Sequence, residues 1–254
     1  MRLLFGFIMA DTSRSRCYLM EMIRNQILPN QIIYLRSENN TKMLGQADHE
    51  HNHIVEKGWP EANFDPNENI ESILKSYKLN YTVCSSNINT EEVARLMINS
   101  NLDLYVYSGY GGVIVKDIIL NACKNILHVH GGLLPYYKGS TTNYFSILSE
   151  SYIGATAIML TKELDKGPII ASCKTSPPTN KVEMDHIYDS ALRARVLVMA
   201  LKKLKNLSIN AKYLRNTDEN TTLSNNYYYI IHPVLKHIAI LSQQHEKDVP
   251  GTGC

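Results

Sequence analysis

Much that would settle a function class at once is missing from this chain of 254 residues. No apolar run is long enough to cross a bilayer. The first, Leu3-Leu4-Phe5-Gly6-Phe7-Ile8-Met9-Ala10, stops at Asp11, far short of the roughly 20 residues a spanning helix needs and marginal for a secretory signal. A buried first strand in a cytoplasmic protein is the expectation. Neither charge sign dominates: 26 basic and 24 acidic residues leave a net charge of +2, which argues against a nucleic-acid binder with its basic stripe. The five cysteines, Cys17, Cys84, Cys123, Cys173 and Cys254, are odd in number, far apart and never in a CxxC pair. That excludes a disulfide framework or a zinc knuckle and predicts reduced thiols. No GxGxxG follows the first apolar run, which speaks against dinucleotide binding. No serine or cysteine stands where a nucleophile would, and no internal repeat is visible.

What is present reads as an α/β protein. Hydrophobic residues make up 44%, enough for an ordinary core, and the length suits one large domain or one domain with a small extension. Short apolar runs at 3–9, 31–35, 81–84, 103–107 and 126–130 predict strands. Helical spacing predicts helices over 13–27, 67–77, 90–98 and 115–123, the first stopped by Pro29 and the third capped by Asn89 or Thr90. This alternation implies a Rossmann-like, mostly parallel sheet with helices on both faces, and ligands beyond the carboxyl ends of its strands. Helices at 141–149 and 182–207 and strands at 154–161 and 168–175 complete a catalytic domain over 1–207. Residues 208–254 read as a linker and C-terminal appendage. Its β-prone run at 227–232 is expected to pack on the core or on a second subunit, leaving a homodimer open, with a helix over 233–240 docking back. The polar stretch 39–66 carries His49, His51 and His53, which could share a Zn²⁺ or Ni²⁺. They lack a fixed scaffold, so a solvated loop and no metal site is the reading.

The densest chemistry lies at the end of the 126–130 run. His128 and His130 are two apart on a strand and so share one face. Gly131 and Gly132 follow, letting the chain turn sharply and a ligand approach the backbone. A carboxylate, Asp165, comes 35 residues after His130. An imidazole titrating near neutrality beside an orienting carboxylate suits general acid–base work. Taken alone, a strand-end histidine bonded to a backbone carbonyl fits the same residues.

The stretch His128-Val129-His130-Gly131-Gly132-Leu133-Leu134-Pro135-Tyr136-Tyr137-Lys138-Gly139 resembles the signature of the formyltransferase family. That family includes glycinamide ribonucleotide transformylase, methionyl-tRNA formyltransferase and, closest in kind, the sugar N-formyltransferases. The family pattern is Asn-x-His-Pro-Ser-Leu-Leu-Pro, then a basic residue and Gly, then Asp-x-Gly-x-Ile; Asp165-Lys166-Gly167-Pro168-Ile169 fits the last part. The resemblance covers 103–175 well and 1–35 weakly. It implies the formyltransferase fold and N10-formyltetrahydrofolate as donor of a one-carbon acyl group. It gives His130 the acid–base role and makes Asp165 its orienting group. His128 takes the place of an asparagine that donates to the formyl oxygen, a role an imidazolium would fill more strongly. Gly131-Gly132 replaces Pro-Ser, which would widen the pocket for another donor or acceptor. Gly109, Tyr110, Gly111, Gly112, Val113 and Leu133 would contact the pterin. Lys138 would meet a phosphate or carboxylate, or else stand in solvent, and Arg14 and Arg16 would meet a nucleotide phosphate at a helix N-terminus or else be solvated. The residues after the catalytic part look too few and too weakly basic for a tRNA-binding domain. The expected acceptor is therefore a small amine, most plausibly a nucleotide-linked amino sugar of surface glycan synthesis. An acyl-CoA donor, a formyl-folate hydrolase and a non-catalytic binding protein are the rivals.

Overall fold

The computed structural model describes residues 3–37, 64–178, 183–206 and 227–243. A seven-stranded sheet forms its centre, in the order β3-β2-β1-β4-β5-β7-β8. β1 (Gly6–Ala10), β2 (Gln31–Arg36), β3 (Tyr81–Ser85), β4 (Leu104–Ser108) and β5 (Asn125–His130) run parallel, as the alternating pattern predicted. β7 (Ile153–Met159) then runs antiparallel beside β5, and β8 (Ile169–Thr175) antiparallel beside β7. β1 and β4 are buried along their whole length, as strands covered on both faces are.

Helices lie on both faces. Phe7, Met9, Val106, Leu127 and Val129 share one core with α1 (Ser13–Arg24) and α6 (Asp189–Asn206), which pack against each other. Ile8, Ile33, Tyr105, Tyr107 and Ile126 form a second core with Val93 and Met97 of α3 (Glu91–Asn99) and Ile119 of α4 (Asp117–Leu120). On α6, Leu197, Leu201 and Leu204 are fully buried, each contributing roughly 1.5–3 kcal/mol of burial. Thr12 caps α1, accepting from the Ser15 amide, and Thr90 caps α3, accepting from Val93. Asn69 does the same for α2 (Ile70–Ser76).

Three predicted elements differ. The 115–123 helix shrinks to α4, a single turn whose N-terminus has no side-chain cap; Val113 and Val115 pack on the core ahead of it. The helix expected over 182–207 opens with a π-helical turn, Met184–Tyr188, where the Glu183 carboxylate accepts from the amides of Asp185, His186 and Ile187. The 227–232 strand shortens to β9 (Tyr227–Tyr228), which pairs with β6 (Lys138–Gly139) in a separate two-stranded sheet. α7 (Pro233–Ser242) follows and packs on α5 (Thr142–Glu150), so this run docks on its own chain. Cys17, Cys84 and Cys123 are free thiols, as expected, and Cys254 lies outside the described residues. No helix among the described residues is long and apolar enough to cross a membrane. His49, His51 and His53, and the expected boundary near 207, lie outside the described residues.

Topology picks out the functional edge. The strand order runs outward from β1 through β2 and β3 on one side and through β4 and β5 on the other. Neighbouring carboxyl ends whose connections diverge leave a crevice between them. Arg14 leaves β1 at that crevice, Ser108 and Gly109 leave β4, and His130 leaves β5.

Candidate active site

His130 ends β5 with only 5% of its surface exposed. Its Nε2 donates to the Tyr137 carbonyl at 2.7 Å, and its Nδ1 lies 3.4 Å from Asp165 Oδ1. A carbonyl can only accept, so Nε2 carries a proton. Burial lowers the His130 pKa, the Asp165 carboxylate works against that, and Arg193 adds to the lowering. The Asp165 side chain is buried; the residue holds φ +53° and accepts from the Gly139 amide at 2.8 Å through Oδ2. Two residues on, any side chain at Gly167 would overlap the Met159 carbonyl. Glycine there lets the β7–β8 connection fold tightly enough to bring Asp165 to His130.

His128 shares the β5 face of His130, alternating with Leu127 and Val129 of the opposite core. Its Nδ1 faces the Tyr107 carbonyl at 3.3 Å. Burial first, then the charges of Arg14, Arg193 and His130, hold its pKa at about 3. His128 is therefore held neutral at pH 7 rather than as an imidazolium. The Tyr107 carbonyl keeps the proton on Nδ1, so Nε2 is a bare lone pair. At the asparagine-like position the free Nε2 is thus an acceptor, while the N–H is turned to the Tyr107 carbonyl.

Positive charge comes from two arginines instead. Arg193 on α6 pairs through Nε with Asp189 at 2.7 Å and donates through Nη1 to the Val129 carbonyl at 3.3 Å. Its Nη2 occupies the place a side chain on Gly131 would take, and Thr142 Oγ1 and His130 Nε2 crowd the same place on Gly132. The Gly-Gly step therefore does not widen the pocket; it makes room for a guanidinium. The turn is pinned by Thr142 Oγ1 donating to the Gly131 carbonyl and by Thr156 Oγ1 donating to that of Gly132. Arg193 and Asp189 were missed in the sequence. Their acid–base i,i+4 spacing was the available signal, masked by the apolar stripe around it.

Arg14 donates to Ser108 Oγ at 3.3 Å and to the Gly109 carbonyl, tying the end of β1 to the glycine turn. Arg16 is paired with Asp11 and donates to the Glu68 carbonyl, so its guanidinium is taken up within the protein. Tyr110 is buried, its hydroxyl donating to the Leu35 carbonyl at 3.1 Å, so its backbone rather than its ring is left for a ligand. Gly111, Val113 and Leu133 are half-buried, and Gly112, at φ +77°, has nothing within 4 Å of where a side chain would start. A flat ring could lie against that open backbone. Beneath the turn, the Tyr107 hydroxyl is buried without a hydrogen-bond partner among the described residues. These features fit a folate ring at the 109–113 turn. Lys138 is 7% exposed, with Nζ 5.8 Å from the centre of the Tyr227 ring, so it is not a solvated loop lysine.

A cavity of about 100 Å³ opens beside Gly131, lined by Asn143, Tyr144, Asp185, Asp189 and Arg193. Tyr144 donates to Asp185 at 2.6 Å and Asn143 to Asp189 at 3.1 Å. The cavity abuts the histidine end of β5 and carries polar side chains on a mixed lining, so it could receive part of a hydroxylated or amine-bearing molecule. No cluster that could hold a metal ion occurs among the described residues.

Residues 2–194 match the family described as formyl transferase. A methionyl-tRNA formyltransferase of Finegoldia magna is 32% identical over 111 residues, 43% of this chain and 36% of that enzyme. The segment matched in such curated relatives spans only about a third of their length. Among solved structures, a phosphoribosylglycinamide formyltransferase from Anaplasma phagocytophilum superposes with a TM-score of 0.53 at 16% identity, covering 90% of this chain and 99% of that one. A sugar N-formyltransferase from Shewanella gives 0.51 at 15%, covering 96% and 88%. At these identities the two structures establish a shared fold.

Proposed function

The chain belongs to the formyl transferase family, and we propose that it moves a formyl group from N10-formyltetrahydrofolate, the family's donor, to the amine of a small acceptor. A nucleotide-linked amino sugar is the acceptor we favour. The likeness in fold to a sugar N-formyltransferase along nearly the whole chain supports that choice. The observation that carries the reading is the buried His130–Asp165 pair at the crevice edge, on the same sheet edge as the open 109–113 backbone.

When bound, the folate would supply the formyl group. The backbone of 109–113 and the Leu133 side chain would hold its ring, with Arg14 fixing the Gly109 carbonyl from below. Arg193 and Arg14 place positive charge around the reacting centre, where the formyl oxygen gains negative charge during attack. The same charges favour an uncharged, nucleophilic amine over an ammonium. His128 Nε2, a neutral lone pair, can accept a hydrogen bond from the attacking amine and orient it. His130, backed by Asp165, can hold or return a proton at its imidazole. Lys138 and Arg16 are given no acceptor contact here, since both are engaged within the protein.

The test is turnover with N10-formyltetrahydrofolate and a panel of UDP- and dTDP-linked amino sugars, read by mass spectrometry. N-formylated sugar together with tetrahydrofolate is the expected result. Formate release that needs no amine would replace transfer with hydrolysis. Calorimetry showing no binding of a 5-formyl or 10-formyl folate analogue would remove the donor assignment.

A further inference from the structure

The loop that completes the acid–base pair is held from outside by the C-terminal segment. Two of its backbone groups act on the pair: the Tyr137 carbonyl accepts from His130 Nε2, and the Gly139 amide donates to Asp165 Oδ2. These groups flank β6, whose only strand partner among the described residues is β9. The Ser140 amide donates to the Tyr228 carbonyl at 2.8 Å. Gly139 holds φ +101°, and a side chain there would overlap that same carbonyl. The Tyr228 ring stacks on the Tyr137 ring, with centres 5.4 Å apart and planes 19° apart. Tyr227 reaches the other arm: its hydroxyl donates at 3.0 Å to the carbonyl of Leu164, the residue before Asp165. β9 is itself anchored. The Ile231 amide donates to Thr141 Oγ1 at 2.9 Å, Lys236 of α7 pairs with Asp185, and His232 caps α7.

We propose that Tyr227 and Tyr228 are positioning residues for the His130–Asp165 pair, one bracing the Asp165 arm and the other the Tyr137–Gly139 arm. His130 ends β5, whereas Asp165 lies on the β7–β8 connection. The Tyr137 arm is held by His130 and by the Tyr137 hydroxyl's contacts with Ser149 and Glu150 of α5, and the Leu164–Asp165 arm is met by Tyr227. Two adjacent tyrosines add a brace to each arm and so help to set the separation of the imidazole and the carboxylate. This rests on the formyl-transfer reading only for its consequence for turnover. The placement of the two side chains stands apart from it.

The experiment is an NMR titration of the His130 ring in the full chain without ligands, alongside steady-state kinetics. The groups that act on His130 are Asp165, Arg193, Asp189 and the Tyr137 carbonyl. If Asp165 recedes, its pKa-raising influence weakens, so Tyr227→Phe and Tyr228→Ala are expected to lower the His130 pKa by about half a unit or more. Tyr228→Phe, which keeps the stacked ring, is expected to leave it in place. kcat is expected to fall roughly tenfold in the first two variants with KM for both substrates little changed. An unchanged His130 pKa in Tyr227→Phe overturns the proposal, even if that variant melts earlier. Should Tyr228→Ala fail to fold, Tyr227→Phe still decides. A wild-type protein that binds no folate would instead overturn the formyl-transfer reading and leave the titration meaningful.

Discussion

The Arg193 guanidinium stands where a side chain on Gly131 would project. One position departs from the family pattern in the signature loop, and a second, far along the chain on α6, fills the space thereby freed.

From this fit, Gly131→Ala is expected to destabilise the protein by about 1–3 kcal/mol, the usual range for overpacking a closed site. Urea unfolding would measure it. Combined with Arg193→Gln, which shortens the intruding side chain, the penalty at 131 is expected to shrink, giving a clearly non-additive double-mutant cycle. Strict additivity would mean that the two residues do not compete for one volume.

His130→Ala and Asp165→Asn are expected to lower kcat by roughly 10²- to 10⁴-fold, the range for losing a positioned acid–base group. Folate affinity by calorimetry and the circular dichroism spectrum should be little altered. Activity near wild type in either variant would take the pair out of the chemistry.

His128 gives a prediction about stability. Its folded pKa of about 3 lies below its ordinary 6.5, so between those values the unfolded chain binds a proton that the folded protein refuses. Stability contributed by this site is then fully present above about pH 6.5 and is lost as pH falls toward 3. Urea midpoints measured across that range should rise with pH more steeply in the wild type than in His128→Asn. Parallel profiles would show that the ring is not held neutral.

Arg14→Gln is expected to weaken donor binding by roughly ten- to a hundredfold, in line with the roughly 1.5–3 kcal/mol carried by hydrogen bonds from a charged group. The Gly109 carbonyl and Ser108 would lose their anchor. Separate titrations with a folate analogue and with sugar nucleotides would show whether the loss falls on the folate. Equal losses for both would place Arg14 with the acceptor.

What could be read in the sequence followed periodicity and local spacing. The strand period gave the shared face of His128 and His130, and short apolar runs gave five parallel strands. Asp165 was visible through its motif, although only the overlap at Gly167 explains why that motif needs a glycine. Arg193 and Asp189 were hidden because a helix that buries Ala194, Leu197 and Leu201 reads as core, and the pattern does not say what its remaining face meets. Tyr227 and Tyr228 were seen as a β-prone run, but their partner β6 is two residues long and leaves no pattern of its own. The charge state of His128 could not be read at all. It depends on burial and on two guanidinium groups brought in from α1 and α6.

The two imidazoles at the end of β5 each face a main-chain oxygen, that of Tyr107 for His128 and that of Tyr137 for His130. Every residue type has that oxygen. For His128 a lineage could therefore exchange Tyr107 without changing the oxygen its ring faces, whereas the Tyr137 ring also helps to place the oxygen that faces His130. The tautomers are inherited with the path of the backbone, and resetting them would take a shift of β4 against β5 or a rebuilt loop rather than a single codon change.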